Sequence, residues 1–149
     1  ILCYLFVPPL TTPRIQTHTY SGTNRRDAVF PNRNLFSENP WAQLLKELNA
    51  RMILFEFKNY DRTKIGTEEV NQTLNYMTEP MGNLAIICSN KKPDNSAFIR
   101  RNTIFSNNKK VILFITKDEL KELLYIKERG ADPADLILDL LELFYLQHE

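Results

Sequence analysis

The sequence predicts an α/β domain, a mixed β-sheet with helices packed on its faces and two helices at the C-terminal end. Three observations carry that prediction. Nearly unbroken apolar runs at residues 52–57, 84–88 and 111–115 have strand length and the character of strands buried on both faces. Between them lie segments whose apolar residues recur at helical spacing. Ahead of them, an alternating, Thr-rich run at 13–20 and a second run at 25–30 flank a Ser-Gly-Thr-Asn turn, so the sheet opens with a hairpin and continues in strand–helix alternation.

Taken in order, the hairpin turns at Ser21-Gly22-Thr23-Asn24. Ser37 or Asn39, followed by Pro40, opens an amphipathic helix with Trp41, Leu44, Leu45 and Leu48 on one face, ending near Ala50. Residues 52–57 form the central strand. Thr67 caps the next helix and Glu68 and Glu69 occupy its first turn, where the macrodipole favours negative charge. Its apolar stripe is Val70, Leu74 and Met77, and Pro80 and Gly82 close it. After the strand at 84–88 come a polar loop at 89–95, a helix at 97–104 and the last strand at 111–115. Thr116 and Glu119 have capping-box spacing and Gly130 ends that helix; Asp132 caps another, with Pro133 at its first position. The order is β-β-α-β-α-β-α-β-α-α.

A chain of 149 residues suits one hydrophobic core rather than two. With 43% hydrophobic and 25% charged residues it has the composition of an ordinary soluble protein. The apolar opening that ends at Pro8-Pro9 is far shorter than the roughly 20 residues of a spanning helix. It also lacks the basic start and small-residue cleavage site of a signal peptide. Because the first residue is Ile1 rather than Met, a fragment of a longer chain is expected, with residues 1–11 as a linker or the remnant of an upstream element. Two cysteines, Cys3 and Cys88, argue against a bridge-stabilised secreted domain and for a reduced, cytoplasmic setting. His18 and His148 are the only histidines, so no zinc spacing exists, and the four ungrouped glycines make no phosphate loop. Charge is uneven along the chain. Residues 1–110 hold 15 Lys and Arg against 9 Asp and Glu, a net +6, and residues 111–149 hold 4 against 9, a net −5. A polyanion would meet the front part.

Candidate chemistry centres on the central strand. Alternation puts Glu56 and Lys58 on one face of Leu54-Phe55-Glu56-Phe57-Lys58-Asn59, with Phe55 and Phe57 on the other. A carboxylate in a buried strand needs a cation beside it. Read alone, Glu56 and Lys58 are an ion pair at the strand's wet end. Asp27, on a preceding strand able to lie beside Glu56, adds a second carboxylate. These two and the Phe57 carbonyl can share one hard cation such as Mg²⁺, which is often held by one or two carboxylates and keeps several waters. Such an ion acidifies water and, with Lys58, offsets charge growing on phosphorus.

This arrangement resembles the PD-(D/E)XK nuclease superfamily, whose signature is an acid on one strand and Glu-x-Lys on the next, here Asp27 and Glu56-Phe57-Lys58. Arg26 stands where the motif has proline, and the helix around Trp41 is an insertion between the two halves. Gln72-Thr73-Leu74-Asn75-Tyr76 is similar to the Gln-x-x-x-Tyr element that follows the catalytic lysine in a subset of these nucleases. The resemblance implies a restriction endonuclease-like sheet, Mg²⁺ (or Mn²⁺), and phosphodiester cleavage in DNA as in restriction or phage-defence enzymes, with RNA as the other substrate class. It implies catalytic roles for Asp27, Glu56, Lys58, Gln72 and Tyr76, and metal contacts from Asp27, Glu56 and Phe57. Gln72 and Tyr76 are expected one turn apart on the flank opposite Val70, Leu74 and Met77. The family's acidic helix before the first strand has no counterpart, since residues 1–10 contain no Asp or Glu. Phosphate contacts are expected from Arg25, Arg26, Asn59, Arg62 and Lys64, with Arg100 and Arg101 more distant. Expected partners are nucleic acid, an upstream domain, and a second copy where both strands are cut. A module that keeps the fold without catalysis is the alternative.

Overall fold

Five strands, β1 (Arg14–His18), β2 (Arg25–Pro31), β3 (Met52–Lys58), β4 (Leu84–Ser89) and β5 (Val111–Ile115), lie side by side in chain order in one mixed sheet. The computed structural model describes residues 1–18, 25–59 and 63–149; the hairpin turn expected at 21–24 lies outside them. The β1–β2 and β2–β3 pairs are antiparallel, whereas β3–β4 and β4–β5 are parallel. Each parallel pair is joined by a helical crossover, as that geometry requires.

Helices cover both faces. α1 (Leu2–Phe6), α2 (Pro40–Leu48), α5 (Lys117–Glu128) and α6 (Ala134–Gln147) pack on one face, and α3 (Thr67–Tyr76) and α4 (Asn95–Asn108) on the other. β3 feeds both cores, with Ile53 and Phe55 in the first and Leu54 in the second. This explains its unbroken apolar run. Among the described residues no helix is long and apolar enough to cross a membrane.

Several caps follow the local chemistry. Asn39 Oδ1 accepts from the Ala42 N–H at 2.9 Å, and Asp132 Oδ1 accepts from the Ala134 N–H at 2.9 Å with Pro133 between them. Others differ from expectation. Gly66, not Thr67, is the N-cap of α3, and Glu69 Oε2 accepts from the Gly66 N–H at 3.2 Å. The Thr116 hydroxyl donates to the Glu119 carboxylate instead of accepting from the backbone. α4 extends well beyond 97–104 because Asp94 caps it early, Oδ1 accepting from the Ala97 N–H at 3.1 Å. Its stripe is hard to read because Arg100 and Arg101 stand in mid-helix.

The opening segment, expected as a linker or remnant, packs in the interior. Leu5, Phe6 and Leu10 are buried, and the Phe6 ring lies edge-on to Trp41 at 5.3 Å and stacked with Phe55 at 5.9 Å. Near the sheet's other end, buried Asn32 donates through Nδ2 to the carbonyls of Trp41 and Ala50, both at 3.0 Å, and so ties β2 to both ends of α2. Gly82, with φ of 92°, leads into β4 where a Cβ would collide with the Asn49 carbonyl.

Candidate active site at the end of the central strand

β2 and β3 pair from Pro31 opposite Met52 to Ala28 opposite Phe55. One step further, that register sets Asp27 opposite Glu56, and there side chains take over from the backbone ladder. Glu56 Oε1 accepts from the Asp27 N–H at 3.2 Å, and Asp27 Oδ2 accepts from the Phe57 N–H at 2.9 Å. Each carboxylate is thus anchored to the other's strand. On the β1 side the register runs Ile15 opposite Ala28 and Thr17 opposite Arg26, and Gln16 between them, at φ 52°, departs from extended backbone at the level of Asp27. Asp27 therefore sits where the sheet departs from regular geometry on both sides.

Glu56 is only 2% exposed. Burial, then the negative charge of Asp27, push its carboxyl up to about 7, and Lys58 pulls the other way. Lys58 Nζ donates to Gln72 Oε1 at 2.8 Å, so α3 orients the lysine. The Tyr76 phenol is raised by burial and then by the charges of Glu56 and Asp27, while a hydrogen bond with Gln72 and the nearby Arg26 oppose this. The structure therefore brings together Asp27, Glu56, Lys58, Gln72 and Tyr76, residues spread over two strands and a helix. Gln72 is exposed as expected, but Tyr76 is half-buried against the second core, and the inward residues of α3 are Val70 and Thr73, followed by Met77, with Leu74 only half-buried.

Arg26 turns inward. It is 8% exposed, and its Nε donates to the Tyr76 carbonyl at 3.0 Å and its Nη2 to Thr78 Oγ1 at 3.1 Å. Lys110 Nζ donates to the Met77 carbonyl at 2.6 Å, and Arg51 donates to the carbonyls of Glu79 and Pro80 at 2.8 and 3.2 Å. Three cations from separate strands or strand entries thus satisfy carbonyls at and after the negative end of α3, which fixes the helix end that carries Tyr76. No local sequence signal reports this clamp, because its partners lie 28 to 50 residues apart.

The other candidates scatter. Asn59 is exposed and lines a cleft of about 460 Å³ together with Phe57 and Cys88, on the face away from the carboxylates; burial pushes the Cys88 thiol up to about 12. Lys64 is exposed beside Asp94, and Arg62 and the side chain of Arg25 lie outside the described residues. Arg100 Nε donates to Asn71 Oδ1 at 2.6 Å, joining α4 to α3. The Arg101 guanidinium stacks over Phe98, Phe114 and Phe144 at 4.9, 4.7 and 5.1 Å.

Among the described residues no three or more His, Cys, Asp and Glu side chains converge on one metal position. The donor set at the site is two carboxylates, with the Phe57 carbonyl as the backbone candidate. It fits an oxygen-preferring ion that keeps most of its water. The raised Glu56 carboxyl reports a buried carboxylate that also faces Asp27, a cost that a divalent cation would relieve. Comparison of the chain with protein-family models, with curated proteins and with solved structures finds no match.

Proposed function

We propose that this chain is a Mg²⁺-dependent nuclease domain of the restriction endonuclease-like, PD-(D/E)XK type, hydrolysing phosphodiester bonds in DNA in a restriction or phage-defence role. One observation carries the reading: an acid from one strand, Glu-x-Lys from the next, and Gln and Tyr from the following helix meet at one end of the sheet through direct interactions. Asp27 and Glu56 would hold the ion. When bound, Mg²⁺ supplies Lewis acidity and a more acidic water. Glu56 must lose its proton first, and with its carboxyl at about 7 that loss occurs near neutrality. Lys58, oriented by Gln72, offsets negative charge that develops on the phosphoryl group. Tyr76, its phenol raised, keeps its proton and stands beside Gln72 and the two carboxylates.

Calorimetric titration with Mn²⁺ beside plasmid cleavage tests this on wild type and three variants. Asp27→Ala and Glu56→Ala are expected to abolish ion binding and cleavage together. Lys58→Ala should retain the ion and lose about 10²-fold or more in rate. A folded wild type that takes up no divalent ion with DNA present, or variants that cut as well as wild type, would overturn the reading. One observation favours a second reading, a nuclease-fold module that binds without cutting: among the described residues only two carboxylates meet at the site. DNA binding with no Mn²⁺ uptake identifies that case.

A further inference from the structure

Over β1, β2 and the start of β3, on the face that carries the carboxylates, lies a concave site of about 310 Å³. Its floor is apolar, formed by Val29, Pro31, Met52 and Met81, and its rim is Arg14, Arg26, Arg33 and Arg51. Two of these arginines are committed elsewhere. Arg26 and Arg51 direct their donors at the end of α3 and the turn after it, and Arg51 also pairs with exposed Glu79 at 3.8 Å. Arg14 and Arg33 are exposed and, among the described residues, make no ion pair or side-chain hydrogen bond. Among the described residues, Glu79 is the one acidic partner of the four. Gathering guanidinium groups round an apolar hollow costs mutual repulsion that a polyanion removes.

Guanidinium groups match phosphate geometry through paired N–H donors, and an apolar floor accepts the faces of sugars or bases. The site also points at the chemistry. Arg14 pairs across the sheet with Val29, two residues along β2 from Asp27, and Arg33 lies six residues from Asp27. A strand rise of about 3.3 Å per residue places Val29, level with Arg14, roughly 7 Å along β2 from Asp27, and Arg33 follows the end of β2 at Pro31, further from the carboxylates. The acidic helices α5 and α6 pack on the opposite face, so a polyanion approaches this one.

We infer that Arg14 and Arg33 bind backbone phosphates of a nucleic-acid strand that runs from the Asp27–Glu56 pair along β2, with sugars or bases on the Val29, Pro31, Met52 and Met81 floor. The direction of the strand rests on the nuclease reading; the binding site itself does not.

Fluorescence anisotropy with a labelled 20-mer duplex in EDTA, at several salt concentrations, separates the two. Wild type should bind with an affinity that falls steeply with salt. The double variant R14Q/R33Q should lose about tenfold or more, and its log–log salt slope should shrink by about 2, one unit per phosphate contact. The same charge change on the opposite face, K117Q/K121Q, should leave affinity nearly unchanged, and unaltered melting curves confirm folding of both. Absence of wild-type binding, an unchanged slope in R14Q/R33Q, or equal losses in both double variants would overturn the inference. Arginine-dependent binding with no Mn²⁺-dependent cleavage would leave it standing while the nuclease reading falls. Cleavage with binding indifferent to Arg14 and Arg33 would do the reverse.

Discussion

Glu56 concentrates the physics of the site in one side chain. Its carboxyl lies at about 7 against an ordinary 4.5, chiefly because the strand buries it and secondly because Asp27 faces it. The folded state therefore holds a proton that the unfolded chain gives up. Stability from that proton is fully present below about pH 4.5 and is lost as pH rises through about 7. Glu56→Gln keeps the shape without the charge, so in EDTA it should match wild type near pH 4.5 and melt progressively higher than wild type toward pH 8. Melting curves at four pH values check this; a constant or reversed difference means the carboxylate is already compensated. The trend should diminish when Mn²⁺ is added to wild type, since an ion at the two carboxylates stabilises the charged form.

At the scale of one element, α3 couples packing to chemistry. Gln72 is exposed and holds Lys58, so Gln72→Ala should lower cleavage with little change in melting temperature. Tyr76 is half-buried against the second core, which makes Tyr76→Ala a poor probe of its hydroxyl; Tyr76→Phe retains the ring and should still slow cleavage. Arg26 acts through the helix rather than on substrate. Losing its two hydrogen bonds leaves the Tyr76 carbonyl unsatisfied, so Arg26→Gln should cost about 1–3 kcal/mol. It should also reduce cleavage while Mn²⁺ affinity is retained. Urea titration, calorimetry and a cleavage assay on the one variant separate positioning from ligation, and loss of Mn²⁺ binding in a folded Arg26→Gln would reject the positioning role.

For the molecule as a whole, the first residues are part of the core. Phe6 is fully buried between Trp41 of α2 and Phe55 of β3, and so links a helix to the strand that carries Glu56. Phe6→Ala should cost about 3–5 kcal/mol, read as a lower urea midpoint with an unchanged slope. A loss under 1 kcal/mol would mean that α1 is peripheral to stability. The same architecture separates charge, placing the acidic C-terminal helices on one face and the arginine-rimmed hollow on the other.

The sequence by itself determined the order of strands and main helices from β1 onward, though not α1, because strand runs, helical stripes, Asn39 before Pro40 and Asp132 before Pro133 are local patterns with local physical causes. It also singled out Asp27, Glu56 and Lys58, since a carboxylate in an apolar strand is visible without knowing what it meets, and the resemblance to a nuclease motif added Gln72 and Tyr76. Only the tertiary structure decided the rest. Residues 1–11 read as a loose apolar start until Phe6 is seen against Trp41 and Phe55. Arg26 reads as a phosphate contact until the end of α3 arrives 50 residues later to accept its hydrogen bonds. Arg14, Arg33 and Arg51 share no spacing and meet only because β1, β2 and the entry to β3 are neighbours in the sheet. The proton affinity of Glu56 likewise depends on what buries it. Periodicity records which face of an element is apolar, whereas burial, charge pairing and clamped helix ends are properties of contacts between elements far apart in the chain.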